Sequence, residues 1–319
     1  MSYRSVFHPG LFAGKVIVVT GGGSGIGRCT AHELAALGAH VVLIGRKLEK
    51  LQAVAEEIIT DGGGGPGQTG HAGQVGQVGQ VGHVGHVGRV SFHTCDIRQE
   101  GPVKATIAAI VAAHGRIDAL VNNAGGQYIT PLEQISAKGW DAVVATNLSG
   151  GFLMARECYL QSMQQHGGAI VNIVADIWGS MPGMGHSGAA RAGMVSFTET
   201  AAAEWAKSGV RVNAVAPGYI ASSGMDHYPP EAADMLRGMV RTVPMGRFGT
   251  EAETSAAIVF LLSPAASFIS GTVLRVDGAR VQLRGGWEQT VAAADVQGRD
   301  AVKPFDGFHR YQAPKVFQS

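Results

Sequence analysis

The sequence predicts an α/β fold of the doubly wound kind, a single domain whose parallel sheet carries helices on both faces. Three observations predict it. Short, unbroken apolar runs rich in β-branched residues recur along the chain, as strands buried on both faces of a sheet must. Between them lie stretches with apolar residues at three-and-four spacing, the pattern of helices with one buried side. The two kinds alternate repeatedly, and such alternation closes most simply into a parallel sheet covered on both sides.

Lys15 to Thr20 reads KVIVVT and is the first strand. Glycine punctuation follows, Cys29 to Leu37 reads as the first helix, and HVVLIG from His40 to Gly45 is a second buried strand. Lys47 to Ile59 gives a second helix, with Leu48, Leu51, Val54, Ala55 and Ile58 on one side. Residues 61–89 then break the pattern, with glycine at every third position from Gly67 to Gly88. Proline is absent within those triplets and the run is far too short for a collagen-like triple helix, so the insert is expected to be a flexible surface loop. Nothing beside His71, His83 or His86 in the sequence would fix a metal geometry, and no metal is expected.

Alternation resumes with RVSFHTCDI as a strand, Val103 to His114 as a helix, IDALVNNAG as a strand and a long helical stretch from Trp140 to His166. AIVNIVA (Ala169 to Ala175) and VRVNAVAPG (Val210 to Gly218) are further strands, separated by a helix over Ala189 to Lys207. A final helix, Glu251 to Leu262, precedes the last strand TVLRVDG. One domain over 1–285 is therefore expected. Beyond Gly285 periodicity ends, and Trp287, Phe305, Phe308 and Tyr311 stand among Gly and Pro. That stretch, 286–319, is too apolar for a free linker and is expected to pack on the body or on a neighbouring subunit.

Among 319 residues 45% are hydrophobic and only 15% charged, and the formal net charge is +1. With an isoelectric point near 7.8, no field strong enough to attract nucleic acid or an anionic membrane arises. The low charge fits subunit contacts. Cys29, Cys95 and Cys158 are odd in number and form no CxxC pair, which suits reduced thiols. The N-terminus lacks a secretory pattern and no apolar run reaches the ~18 residues of a membrane span, so a cytoplasmic protein without a membrane span is expected.

The run Thr20-Gly21-Gly22-Gly23-Ser24-Gly25-Ile26-Gly27 lies between the first strand and the first helix. Residues without Cβ allow a tight turn and close backbone approach, and the helix N-terminus offers unpaired N–H groups to phosphate oxygens. Inside a βαβ unit this is a dinucleotide site of Rossmann type. An acidic residue at the end of the second strand would favour a ribose 2′-hydroxyl and repel a 2′-phosphate. Here the chain has Gly45-Arg46-Lys47, two cations that suit the phosphate, so NADP(H) is preferred while NAD(H) stays open.

Together these residues resemble the short-chain dehydrogenase/reductase superfamily, whose TGxxxGxG pattern is matched by Thr20 to Gly27, and the resemblance runs from about Leu11 to Gly278. It implies that Asn122-Asn123-Ala124-Gly125 lies beside the cofactor, that Asp96 and Ile97 contact adenine, that Asn147 is a helix-bending catalytic asparagine, and that Pro217-Gly218 with Ile220 borders the nicotinamide. The cofactor set is then Gly21, Gly23, Ser24, Gly25, Ile26, Arg46, Lys47, Asp96, Ile97, Asn123, Ala124, Gly125, Arg191, Pro217, Gly218 and Ile220. A homotetramer is implied as well.

The superfamily's usual Tyr-x-x-x-Lys has no match: the chain reads His186-Ser187-Gly188-Ala189-Ala190-Arg191, with Ser187 in the tyrosine's place and Arg191 in the lysine's. A serine hydroxyl is far too weak an acid to exchange a proton with a carbonyl or alcohol unaided, and Arg191 holds its proton, although it can still hold a ribose. HSGAARAG is similar to the divergent branch of 2,4-dienoyl-CoA and trans-2-enoyl-CoA reductases, in which NADPH delivers hydride to an activated C=C bond. That similarity implies Gln127 and Asp176 around the reacting oxygen with Ser187; Asn147 and Arg191 complete the catalytic set that the superfamily resemblance implies, and His186 and Tyr128 are alternative proton carriers.

SYRSVFHPGLFAGK, the Ala175 to Gly179 segment, Met181 to His186 and Asp306 to Arg310 are also similar to bacterial citronellol/citronellal dehydrogenase-type proteins of acyclic terpene utilisation. A hydrophobic substrate, a CoA thioester or a terpenoid, is thus implied. Met181, Met184, Met225, Tyr228, Met235, Leu236 and Met239 are expected along its path, and Lys138, Arg237, Arg241 and Arg247 are candidates for CoA phosphates. A protein of this fold that binds NADP(H) without catalysis is the alternative.

Overall fold

The computed structural model describes residues 2–62, 76–78, 81–87, 89–227, 233–282 and 304–317. Strands β1 (Val16–Thr20), β2 (His40–Gly45), β5 (Val90–Thr94), β6 (Ala119–Asn122), β7 (Gly168–Ile173), β8 (Val210–Pro217) and β9 (Val273–Val276) form a parallel sheet in the order β5-β2-β1-β6-β7-β8-β9. β1 is buried at every position, because it lies mid-sheet with helices above and below. Alternate side chains fill two cores. Ile17, Val19, Val41 and Leu43 face one, and Val18, Val42, Ile44 and Leu120 the other.

Helices α1 (Gly25–Ala36), α2 (Leu48–Asp61) and α9 (Glu251–Leu262) supply Leu34, Leu51 and Ile258 to the first core. Helices α3 (Glu100–His114), α5 (Gly150–Cys158) and α7 (Gly185–Trp205) supply Ile107, Met154 and Ala201 to the second. The doubly wound fold expected from alternation is the observed one. Two helices begin four residues earlier than their apolar periodicity suggested. Gly25 and Gly185 can enter a helix from a tight loop, so the first turns of α1 and α7 carry residues that do not look helical.

The glycine-rich insert departs from the expected loop. It contributes β3 (Gly76–Val78) and β4 (Val81–Val87), an antiparallel pair added to the outer edge of β5, so the sheet has nine strands. The edge of β5 offers unpaired N–H and C=O groups, and a segment that repeats valine, glycine and histidine in triplets can satisfy them with its backbone. His71 lies outside the described residues, as do Trp287 and Tyr228, and the side chains of His83 and His86 are likewise outside the description.

Near the C-terminus, residues 304–317 lie on the body. Phe308 is buried against Tyr3 with ring centroids 5.9 Å apart, and the Arg28 guanidinium sits 5.2 Å from the Phe308 ring centre. Arg310 grips Asp61 with two hydrogen bonds of 2.6 Å. Farther on, Lys315 donates its backbone N–H to Asp226 at 2.9 Å, and Arg237 donates to the Val316 carbonyl at 3.1 Å. These contacts tie α1 and α2 to the segment that follows β8.

Candidate active site

β1 pairs with β2 on one side and β6 on the other, so the loops leaving the carboxyl ends of β1 and β6 part in opposite directions and open a crevice. Doubly wound sheets bind ligands at this switch point. The glycine-rich turn after β1 forms one wall. Gly21 and Gly25 have φ of +67° and +57°, and a Cβ on Gly27 would overlap the Gly21 carbonyl and the Asn123 amide.

Asn123 and Ala124 both donate backbone N–H groups to Thr20 Oγ1 at 3.0 Å, and Asn123 Nδ2 donates to the Thr20 carbonyl at 3.0 Å. The NNAG segment is therefore fastened to the glycine turn. Gly23 packs on Lys50, and Ser24 is the extended residue just before α1, whose first turn contains Gly25 and Ile26 and no acidic residue. Its N–H groups have no partner within the helix, which is the arrangement a phosphate needs.

At the end of β2, Arg46 and Lys47 are both exposed, and Lys47 immediately precedes α2 without a side-chain capping hydrogen bond. Cys95 N donates to the Gly45 carbonyl at 2.9 Å and so brings Asp96 beside this corner. A hydrogen bond from Arg98 holds the Asp96 carboxyl below its ordinary range. Ile97 is buried, with its Cδ1 2.8 Å from where a Cβ on Gly150 would stand. Across the crevice Gly218 N donates to the Val276 carbonyl at 2.9 Å directly after Pro217, and buried Ile220 bridges to Gly249.

The reacting end is built around a π-helical turn over Ala145–Ser149, between α4 (Ala137–Val144) and α5. Such turns widen a helix and often mark functional positions. Here the turn carries Asn147, which accepts from Gly126 N at 2.9 Å and returns a hydrogen bond from Nδ2 to the Gly126 carbonyl at 3.0 Å. Asn147 Nδ2 also lies 3.4 Å from Ser187 Oγ, and Ser187 donates to Gln127 Oε1 at 2.8 Å. Ser187 is wholly buried and Gln127 is exposed. Of the two, Gln127 is the exposed residue and the serine hydroxyl is covered.

Arg191, one turn along α7, is buried and donates to the Ile173 carbonyl, while its Nε has no hydrogen-bond partner. Its terminal nitrogen occupies the space a Cβ on Gly125 would need. Burial pushes its pKa down to about 10, so it remains charged at neutral pH. Asp176 follows β7 with one carboxyl oxygen buried and unpartnered, and the other 3.9 Å from Arg280. Burial raises its pKa, against the opposing pull of Arg280. His186 is fully buried with neither ring nitrogen hydrogen-bonded, and it meets Tyr128 edge-on at 4.5 Å.

Apolar side chains rim this end. Ile129, Leu132 and Trp178 are exposed, and Met181 lies against Gly188. Met225 and Met239 instead pack with Phe248, Tyr311 and Phe317, Leu236 is buried, and Met235 is exposed. Arg247 pairs with Glu253 at 2.6 Å, Arg237 reaches Val316, and Lys138 and Arg241 are exposed. Sequence reasoning missed Ile129, Leu132 and Arg280. The first two are apolar residues directly after a cofactor motif, which was a usable signal; Arg280 carried none. Among the described residues no group of three His, Cys, Asp or Glu side chains is placed to hold a metal, and no helix is long and apolar enough to cross a membrane.

Residues 77–279 match the family model described as enoyl-(acyl carrier protein) reductase, and residues 15–68 match that of the short chain dehydrogenases. A protein of Bacillus subtilis described as a probable 2,4-dienoyl-CoA reductase is 35% identical over 271 residues, covering 83% of this chain and 96% of that one. The 3-oxoacyl-[acyl-carrier-protein] reductase FabG of Thermotoga maritima is 32% identical over 270 residues, covering 84% and 98%. Among solved structures, the citronellol catabolism dehydrogenase AtuB of Pseudomonas aeruginosa is 55% identical with a TM-score of 0.73, covering 88% of this chain and all of that one. The fold, the glycine turn bolted to NNAG and these matches agree, and the chain belongs to the short-chain dehydrogenase/reductase superfamily of oxidoreductases.

Proposed function

We propose that the chain is an NADP(H)-dependent oxidoreductase that adds hydride to a carbon–carbon double bond conjugated to a carbonyl, in a hydrophobic enoyl- or dienoyl-CoA or a citronellal-like terpenoid. The observation that carries this reading is the polarity of the Asn147–Ser187–Gln127 chain. Ser187 donates to Gln127 Oε1, which leaves the Gln127 NH2 group as the exposed donor. A donor of this kind stabilises charge gathering on a carbonyl oxygen without giving up a proton. That suffices for an enolate. An alkoxide, the product of plain carbonyl reduction, needs a proton that an amide does not supply.

The residues fit a nicotinamide dinucleotide. The glycine turn leaves little room for side chains where phosphates would lie, and Arg191, whose terminal nitrogen lies beside Gly125, would hold a ribose hydroxyl. When bound, the dinucleotide supplies or accepts the hydride. Arg46 and Lys47 would hold a 2′-phosphate, which is the basis for preferring NADP(H). Asp176, with its raised pKa, would deliver a proton to the substrate carbon next to the carbonyl, closing the balance of one hydride and one proton added across the double bond. Ile129, Leu132, Trp178 and Met181 would keep water from the apolar chain.

A second reading is oxidation of a terpenoid alcohol with Asp176 as the base, favoured by the 55% identity to the citronellol catabolism dehydrogenase. A panel of enoyl-CoAs, dienoyl-CoAs, citronellol and citronellal, followed at the nicotinamide absorbance, separates the two. Reduction of a conjugated substrate supports the first reading, and alcohol oxidation abolished by Asp176→Asn supports the second. Tight NADPH binding with no turnover on any of them would leave a cofactor-binding protein without catalysis. We also read the chain as a cytoplasmic homotetramer: Trp140, Phe152 and Leu160 are exposed along one helical stretch, and all three cysteines are free. Sedimentation of the purified protein tests the oligomer.

A further inference from the structure

Helix α9 opens with two glutamates that do different work. Glu253 closes a capping box with Thr250, through hydrogen bonds of 3.1 Å and 2.8 Å, and it also holds Arg247. Glu251 takes no part in the cap. Its side chain turns instead to the start of α1, where its Oε1 lies 3.8 Å from the place a Cβ on Gly25 would occupy. It is only 5% exposed.

Three elements enclose its carboxyl. From α1 come Arg28 and Cys29, from the C-terminal stretch Tyr311, and from the segment after β8 the backbone of Ser223, whose N–H favours the ionised carboxyl. Arg28 is itself held by Glu57 in two hydrogen bonds of 2.7 Å and 3.0 Å, so its charge is shared. A carboxyl so placed lies within one residue of the N–H groups that would seat the cofactor's phosphates. An ionised carboxylate and a pyrophosphate at that separation, both shielded from water, repel each other strongly.

We propose that Glu251 is a proton-linked part of the phosphate seat: the carboxyl is protonated when the dinucleotide binds, and ionising it weakens binding. The inference rests on the reading that the glycine turn holds NADP(H). Burial supports it by pushing the Glu251 pKa up to about 7, with Arg28 and the Ser223 N–H pulling the other way. A bound pyrophosphate adds negative charge beside the group and raises it further. By linkage, cofactor binding above neutral pH then takes up a proton, and affinity falls as pH rises through the free protein's titration, with a limiting slope of about tenfold per pH unit.

The test is calorimetric titration of the full-length protein with NADPH at pH 6, 7 and 8, in buffers of different ionisation enthalpy, for the wild type and Glu251→Gln. Expected are proton uptake by the wild type at pH 7 to 8 that the variant lacks, and a fall in affinity of up to about fivefold between pH 7 and 8 that the variant does not show. Glutamine keeps the shape of the protonated acid. Infrared difference spectra of the wild type provide a check that needs no variant, since a protonated-carboxyl band should grow when NADPH is added at pH 8. Equal proton uptake and equal pH slopes in both proteins, or no such band, would overturn the proposal. Failure of the wild type to bind NADPH at any pH would instead overturn the cofactor reading beneath it.

Discussion

Ser187 donates its buried hydroxyl to the side-chain oxygen of exposed Gln127 over 2.8 Å, so the oxygen end of that amide is engaged while the proposed function uses its NH2 end. Gln127→Ala should therefore lower kcat by about a hundredfold or more, the usual cost of one oxyanion donor, with the Kd for NADPH unchanged. Ser187→Ala should cost less, because it frees the amide to rotate without removing it. Steady-state rates on the best conjugated substrate check both, and a Ser187→Ala loss larger than that of Gln127→Ala would contradict the assignment.

Arg46 and Lys47 stand exposed at the end of β2, with Asp96 nearby. Charge-assisted hydrogen bonds are worth ~1.5–3 kcal/mol each, so Arg46→Ala should weaken NADPH by roughly tenfold to a hundredfold and leave NADH nearly untouched. Fluorescence titration of the two reduced cofactors measures the ratio. Equal losses for both would mean that no 2′-phosphate sits there.

Burial alone would raise the pKa of Glu57, but hydrogen bonds from His32 and Arg28 outweigh it and bring the group to about 2. A depressed carboxyl adds stability that is present above its unfolded value of ~4.5 and is lost as pH falls through about 2. The shift corresponds to at most about 3.5 kcal/mol, at ~1.4 kcal/mol per unit, and to less because the pair is partly open to solvent. Urea unfolding between pH 5 and pH 2 should show this slope in the wild type and a flatter one in Glu57→Gln.

Phe308 is buried between Tyr3, His32 and the Arg28 guanidinium, and Arg310 anchors the same turn on Asp61. Phe308→Ala should release residues 304–317, because removal of a buried aromatic ring costs ~3–5 kcal/mol. Hydrogen exchange should then rise in that stretch and, through Lys315 and Asp226, in the segment after β8, while the sheet stays protected. Protection unchanged after the substitution would mean that the ring contributes little.

Much of the architecture could be read from residue order, since a buried parallel strand leaves a short run such as VIVVT that few other structures explain. The cofactor motifs were legible for a related reason: Gly21 and Gly27 answer to backbone geometry, which glycine alone satisfies. Side-chain layering was not legible. Ser187 lies in the first turn of α7, which the sequence pattern started only at Ala189, and whether it or Gln127 is exposed depends on the path of the loop after β6. Glu251 looks in sequence like any first-turn glutamate, and only the packing of α9 on α1 sets it beside Gly25. The pairing of β3 and β4 was hidden because glycine every third residue signals freedom, while the edge of β5 supplies the order.

That antiparallel pair lies at one margin of the sheet, with β5 and β2 between it and the strand that carries the glycine turn. Among the described residues β4 meets β5, α2 and α3, so adding or deleting triplets at that margin should cost the chemistry little. For the same reason it is where a foreign module, a fluorophore or a surface tether could be grafted onto a working enzyme.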